Sequence, residues 1–232
     1  MNNINISNRN TIKAVLNKFS IGVDLLGYIK PKMLYLLGGL YSSCHYKEND
    51  TGKVLQTNIT IPQLAELTGE TEDYIKDYFY PIIKKKEDVV VSCQSYFDKG
   101  KVVKRNLFTL INPISPYRIY WSGIFSDFEL SPEEKGYVMA LYMLCVKGTR
   151  RYELANKEVA RRLNISLNTW KKYKGILEEK GILRKAGNLE VELYDPVNED
   201  TYILFYPYLG THTEVALIPA YLGDEIPLKN DD

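Results

Sequence analysis

The chain has 232 residues, is 45% hydrophobic and 25% charged, and carries a net charge of +1. That length accommodates one large domain or two small ones, and the composition is that of an ordinary soluble globular protein. Near-neutrality excludes a bulk polycation, so any affinity for nucleic acid has to come from a local patch.

Three widely spaced cysteines, Cys44, Cys93 and Cys145, include no CxxC pair. This argues against a disulfide framework or a zinc site and predicts small buried thiols in a reducing compartment. The N-terminus, MNNINISNRN, is polar and lacks an apolar leader segment. No apolar run approaches the roughly 18 residues that cross a bilayer. A cytoplasmic protein with no membrane attachment is expected. The 19 tyrosines supply amphipathic contact area for cores and interfaces.

Residues 1–10 read as an arm, and the spacing of Ile12, Val15, Leu16 and Phe19 predicts a short helix over 11–19. Pro31 suits the first turn of a helix over Lys32–Tyr46, and KENDTGK (47–53) is expected as a loop. Helices follow over Ile61–Leu67 and Glu70–Lys85, with Pro81 expected to kink or shorten the second. Two β-rich runs, 89–97 and 101–111, flank DKG and predict a hairpin. Helix, helix, helix, hairpin is the order of a winged-helix unit.

Residues 113–130 hold several aromatics and read as a connector that packs on the rest of the chain. Tyr117, Tyr120, Trp121, Phe125 and Phe128 within it are expected to pack rather than line a pocket. Ser131-Pro132-Glu133-Glu134 is a helix start, and that helix is expected to run to about Val146. Its apolar stripe is Val138, Leu141, Tyr142 and Cys145. Next come a helix over Asn156–Leu163 capped by Asn156, a turn at Asn164, and a Ser166-capped helix to about Lys180, ended by Gly181. Residues 182–186 and 189–194, around Gly187-Asn188, are expected as a second hairpin.

The order repeats. A shift of 95 residues superposes Ala65 on Ala160, Gly69 on Asn164, Thr71 on Ser166, Ile75 on Trp170, Tyr78 on Tyr173 and Ile82 on Leu177. The expected fold is therefore α+β and mainly helical, with two tandem winged helix-turn-helix units and a short β/apolar C-terminal extension. The divisions are an arm and short helix at 1–30, a first unit at 31–112, the connector at 113–130, a second unit at 131–195 and an extension at 196–232.

The stretch 157–183 carries the strongest local signal. Ala160 is small where two helices touch, Asn164 turns the chain, and Trp170, Tyr173 and Leu177 form a buried face. The other face presents Leu167, Asn168, Lys171 and Lys172, with Lys174 alongside and Ser166 at its start. Asn pairs with adenine and Lys with guanine acceptors in a major groove. Lys157, Arg161 and Arg162 on the supporting helix, and Arg184, Lys185 and Asn188 on the second wing, suit phosphates. From Lys147 to Lys185 there are 12 Lys/Arg against 4 Glu, and from Glu190 onward 10 acidic residues against one Lys.

The first unit places Glu72, Asp73, Lys76 and Asp77 at the equivalent positions, where carboxylates repel phosphates. Tyr74, Tyr78, Phe79 and Tyr80 are candidates for a partner surface, with a core role as the alternative for Tyr74 and Tyr78. The first wing is basic through Lys99, Lys101, Lys104 and Arg105. Two distant histidines, His45 and His212, and the absence of GxSxG, HExxH or P-loop motifs argue against an enzyme, a metal or a cofactor. Gly38-Gly39, inside an apolar helix, is expected to serve close helix packing or a kink rather than a phosphate cradle.

LSPEEKGYVMALYMLC, the run at 157–183 and its Leu177-Glu178-Glu179-Lys180-Gly181 helix terminus resemble the winged-helix domains common in bacterial phage and plasmid proteins. The whole plan is similar to plasmid replication initiators, in which both units contact origin DNA. That resemblance implies Asn168, Lys171 and Lys172 near bases and Arg161, Arg162 and Lys185 on phosphates. The acidic first helix departs from it. The expectation is a sequence-specific binder of double-stranded DNA in replication initiation or transcription control, with a homodimer as one state. The alternative is an interaction protein that meets partners through its first unit or its acidic C-terminal extension.

Overall fold

A computed structural model describes residues 18–49, 52–85, 89–98, 101–111, 116–186 and 200–210. The fold is α+β with several antiparallel sheets. Among the described residues no helix is long and apolar enough to cross a membrane.

Two helices form the centre. Helix α1 (Pro31–Ser42) has Pro31 at its first position, and α4 (Pro132–Leu144) opens with a capping box between Ser131 and Glu134. Both are buried around most of their circumference, so α4 hides Tyr137, Met139, Ala140 and Met143 as well as its expected stripe. An all-round apolar helix has to be enclosed on every side. Gly136 makes this contact feasible, because a Cβ there would fall 2.1 Å from the Pro31 carbonyl oxygen. A Cβ at Gly38 would come within 3.0 Å of Phe19 and 3.1 Å of Met139, and one at Gly39 within 2.9 Å of Leu64 and Thr68, so this pair serves the packing alternative. One continuous core runs through both halves of the chain.

The two halves build similar sequences of elements around their central helices, the first with one strand more. In the first, β1 (Lys18–Gly22) and a 3₁₀ turn lead into α1. The hairpin β2 (His45–Asn49) and β3 (Gly52–Thr57) follows, then α2 (Ile61–Thr68), α3 (72–83), β4 (Val89–Asp98) and β5 (Lys101–Leu110). In the second, β6 (Tyr117–Trp121) and a 3₁₀ turn lead into α4. Then come β7 (Arg151–Glu153), α5 (Asn156–Arg162), α6 (Leu167–Glu179), β8 (Leu183–Lys185) and β9 (Thr201–Leu204). The sheets have order β2-β3-β5-β4 and β7-β9-β8. In both, the strand before the helix pair lies beside the last strand, which in turn pairs with the strand between them. The opening strands β1 and β6 pair with each other, with Ser20 opposite Ile119.

The duplicated positions agree up to a point. Gly69 and Asn164 are both left-handed, at φ 68° and 51°. Thr71 and Ser166 both cap the next helix, and Ile75 and Trp170 are both buried. Beyond Ile75 the shift of 95 fails. Helix α3 consists of Glu72–Tyr74, a π-helical turn Ile75–Phe79 and Tyr80–Ile83. The Tyr80 N–H bonds back five residues to Ile75, so the turn holds one extra residue. Pro81 follows directly and supplies no N–H to an ordinary ladder. Phe79 and Ile83 are buried as a result, while Tyr78 and Ile82 are exposed. The buried counterpart of Leu177 is Ile83, a shift of 94.

Other expectations are corrected. Lys18 and Phe19, expected at a helix end, lie in β1, because that strand finds its partner in β6; residues 11–17 lie outside the described residues. The first central helix stops at Ser42, and His45–Asn49 with Gly52–Thr57 form a hairpin where a loop was expected. Strand β8 pairs with Thr201–Leu204, while 189–194, its expected partner, lies outside the described residues. The apolar run after 200 therefore completes the second sheet. It continues onto the connector, where Trp121 N–H donates to Tyr208 and Gly210 N–H to Ile119. Tyr120 is fully buried there and donates its hydroxyl to the Met139 carbonyl, but Phe128 is 95% exposed.

Candidate nucleic-acid interface

Helix α6 owes its start to Ser166, whose hydroxyl accepts from the Thr169 N–H, and its anchor to Trp170 and Leu177, both fully buried. The Trp170 indole N–H donates 2.9 Å to the Asn156 carboxamide oxygen. Asn156 is thus not the cap of α5; that position is held by Ala155, which makes no side-chain cap bond. A buried indole N–H needs an acceptor, and Asn156 supplies it by sitting one residue inside the helix. The bond also draws the start of α5, with Lys157 beside it, against α6.

The outer face of α6 is Asn168, Lys171 and Lys172, all exposed and at i, i+3 and i+4. Among the described residues neither lysine is in an ion pair. Lys172 lies near the Tyr173 ring, 5.1 Å from its centroid. Leu167 is half-buried and packs on the core. Tyr173 turns inward and stacks on Tyr137 with centroids 4.0 Å apart, and burial together with a hydrogen bond to Glu133 pushes its hydroxyl pKa up to about 12.

Lys174 does not join this face. It pairs with Glu178 at 3.0 Å and lies over the Tyr202 ring from β9. Arg184 also folds back, donating to the Gly181 carbonyl and covering the Phe205 ring at 4.9 Å. Lys185 is half-buried, and Asn188 lies outside the described residues. Arg150, part of the basic stretch, is buried and donates 2.9 Å to the Leu209 carbonyl. The surface charge is accordingly smaller than the residue count suggests, and it concentrates on α5 and α6.

On α5, Lys157, Arg161 and Arg162 are exposed. Glu158 accepts from both arginines, at 2.7 and 2.8 Å, and these bonds hold its carboxyl pKa down at about 2. The carboxylate gathers two guanidinium groups at the end of α5 nearest the Asn164 turn. Asn164 itself reaches across to the N-terminal segment, donating 3.2 Å to the Gly27 carbonyl.

The equivalent face in the first unit is acidic. Glu72, Asp73, Lys76 and Asp77 are all exposed. Of the four aromatic residues considered as a partner surface, Phe79 is buried and Tyr80 packs edge-on against Phe108. Tyr74 is half-buried beneath Lys32, whose ammonium sits 3.7 Å from the ring centroid. Only Tyr78, stacked on Tyr74 and 61% exposed, offers its ring outward. The extra residue of the π turn causes this exchange of Tyr78 for Phe79. Of the basic residues expected on a first wing, Lys101 and Lys104 lie in β5 and Arg105 is half-buried, while Lys99 lies outside the described residues.

Cys145 is buried and its thiol donates to the Leu141 carbonyl; Cys44 donates to Leu40, and burial pushes its thiol pKa up to about 12. Among the described residues no cluster of three His, Cys, Asp or Glu side chains is placed to hold a metal ion. No protein-family model, curated protein or solved structure matches the chain.

Proposed function

We propose that the chain binds double-stranded DNA through the outer face of α6, the second of two winged-helix units, and acts in replication initiation or transcription control. The observation that carries this reading is the division of α6. Trp170 and Leu177 are buried, while Asn168, Lys171 and Lys172 project together from its first two turns. That is the part of such a helix that reaches base edges in a major groove. Two features support it. The strand order β7-β9-β8, with β7 before the helix pair and β8 and β9 after it, is compatible with a winged-helix reading. Lys157, Arg161 and Arg162 lie on the neighbouring helix, where backbone phosphates would run.

The first unit plays a different part in this reading. Its α3 face bears three carboxylates and the outward Tyr78, which suits a protein contact better than a phosphate backbone. A second copy or another protein would meet the molecule there.

The test is a fluorescence-anisotropy titration with random duplexes and with duplexes from around the gene, at several salt concentrations. Tight binding to one duplex with a steep salt dependence is expected. The Lys171→Ala/Lys172→Ala variant should lose specific binding and lower the log–log salt slope by about 2. Retained specific binding in that variant would move the site elsewhere. No binding of the natural chain to any duplex at moderate salt would leave the protein-contact reading in its place.

A further inference from the structure

Four glycines lie inside the described helices: Gly38, Gly39, Gly136 and Gly175. Three have a reason within the protein. A Cβ at Gly38 would meet Phe19 at 3.0 Å, at Gly39 Leu64 and Thr68 at 2.9 Å, and at Gly136 the Pro31 backbone at 2.1 Å. Gly175 has none. A Cβ there would find no heavy atom within 4 Å, and its φ is not positive. It is not at a helix end either, since α6 continues to Glu179. Glycine is the poorest residue after proline for a helix interior, so its placement here weakens α6 with no return in packing.

Its position gives the missing reason. Counting from Asn168, residues 171, 172 and 175 stand at i+3, i+4 and i+7, so Gly175 lies in the middle of the face that carries both free lysines. A major groove about 12 Å wide receives a helix about 10–12 Å across with little clearance. A side chain in the centre of the inserted face would hold the helix off the groove floor.

We infer that Gly175 is the point of closest approach between the α6 backbone and duplex DNA, and that its bare Cα sets how deeply the helix seats. This rests on the DNA-binding reading. Lys171, Lys172 and Asn168 lie on the same side of the helix within the two turns before the contact and reach outward to phosphates and base edges. Glu179, one turn further on and exposed, closes the footprint with a charge that phosphates avoid.

The experiment pairs two readouts on the full chain carrying Gly175→Ala or Gly175→Leu. Thermal unfolding should rise by about 2 °C for the alanine variant, because a better helix former enters a site with open space. Affinity for the duplex that the natural chain binds best should fall several-fold with alanine and at least about tenfold with leucine. Variants that bind that duplex as tightly as the natural chain would overturn the inference while leaving the DNA-binding reading in place. A fall in thermal midpoint with alanine would also overturn it, since the glycine would then serve the fold. A natural chain that binds no duplex would overturn the reading itself, and the inference with it.

Discussion

The side chain of Asn164 is tied to the backbone of Gly27, 137 residues earlier, by a 3.2 Å hydrogen bond. Both residues have positive φ, 51° and 79°. The turn between α5 and α6 therefore leans on the segment that precedes α1. At Gly27 a Cβ would come within 2.8 Å of the Arg162 carbonyl oxygen, so the approach is close from both sides. Replacing Asn164 by alanine keeps a β-carbon in the left-handed region but takes away the polar side chain that makes that conformation tolerable and the bond to Gly27, at a cost of about 1–2 kcal/mol. Replacement by glycine loses only the bond and should cost less. Guanidinium unfolding of the two variants, with unchanged m-values, checks the order.

The Trp170–Asn156 bond predicts a coupled pair. Asn156→Ala leaves a buried indole N–H without its acceptor and should cost about 1–3 kcal/mol. Trp170→Phe removes the donor and leaves the less buried carboxamide. The double variant should be less damaging than the sum of the singles by roughly 1 kcal/mol. A double-mutant cycle by urea unfolding reads that coupling directly.

The π turn predicts an unusual tolerance. Deleting Tyr78 while replacing Pro81 by alanine removes the extra residue and the proline that accompanies it. Phe79 and Ile83 then fall into the spacing that Tyr173 and Leu177 occupy in α6. Thermal melts should show a modest loss, less than about 2 kcal/mol. Deleting Tyr173 in α6 has no bulge to absorb it and should unfold the second unit.

Glu158 predicts a pH effect with a definite sign. The hydrogen bonds from Arg161 and Arg162 hold its folded pKa at about 2, below the ordinary 4.5. A depressed folded pKa stabilises the native state above the unfolded value, and that stabilisation is lost as pH falls from 4.5 towards 2. NMR titration of the side-chain carboxyl should show a midpoint well below that of an exposed glutamate. At neutral pH, Glu158→Gln should strengthen duplex binding and steepen its salt dependence, because both guanidinium groups are released to phosphates.

Elements with chemical punctuation were legible from sequence. Ser131-Pro132 and Ser166 start helices as expected, and the left-handed turns at Gly69 and Asn164 fall where the repeat placed them. What stayed hidden were the strands whose identity depends on distant partners. Lys18–Gly22 is extended because Tyr117–Trp121 lies beside it, and β7 is only three residues long. The hairpin at 45–57 is polar near its turn and shows no alternation to reveal it. The same division holds for the interface. Asn168, Lys171 and Lys172 follow from helical periodicity alone. That Lys174 and Arg184 fold back does not follow from it, because the aromatic rings that hold them, Tyr202 in β9 and Phe205 just beyond it, arrive from a segment expected in the C-terminal extension. The extra residue in α3 was equally invisible, and it exchanged a buried tyrosine for a buried phenylalanine.

The interleaving of the two halves has a consequence for synthesis. Strand β1 waits for β6, and β6 in turn takes its second neighbour from Tyr208 and Gly210. The first described strand thus belongs to a ribbon that closes with some of the last described residues. Such long-range pairing slows folding, since the ends of a long loop must meet before any contact rewards them. The nascent first half holds an apolar central helix, α1, whose cover against α4 is made about a hundred residues later in the chain. Ribosome-bound chains halted before α4 emerges should be cut readily by protease at α1, and release of the complete chain should end that sensitivity.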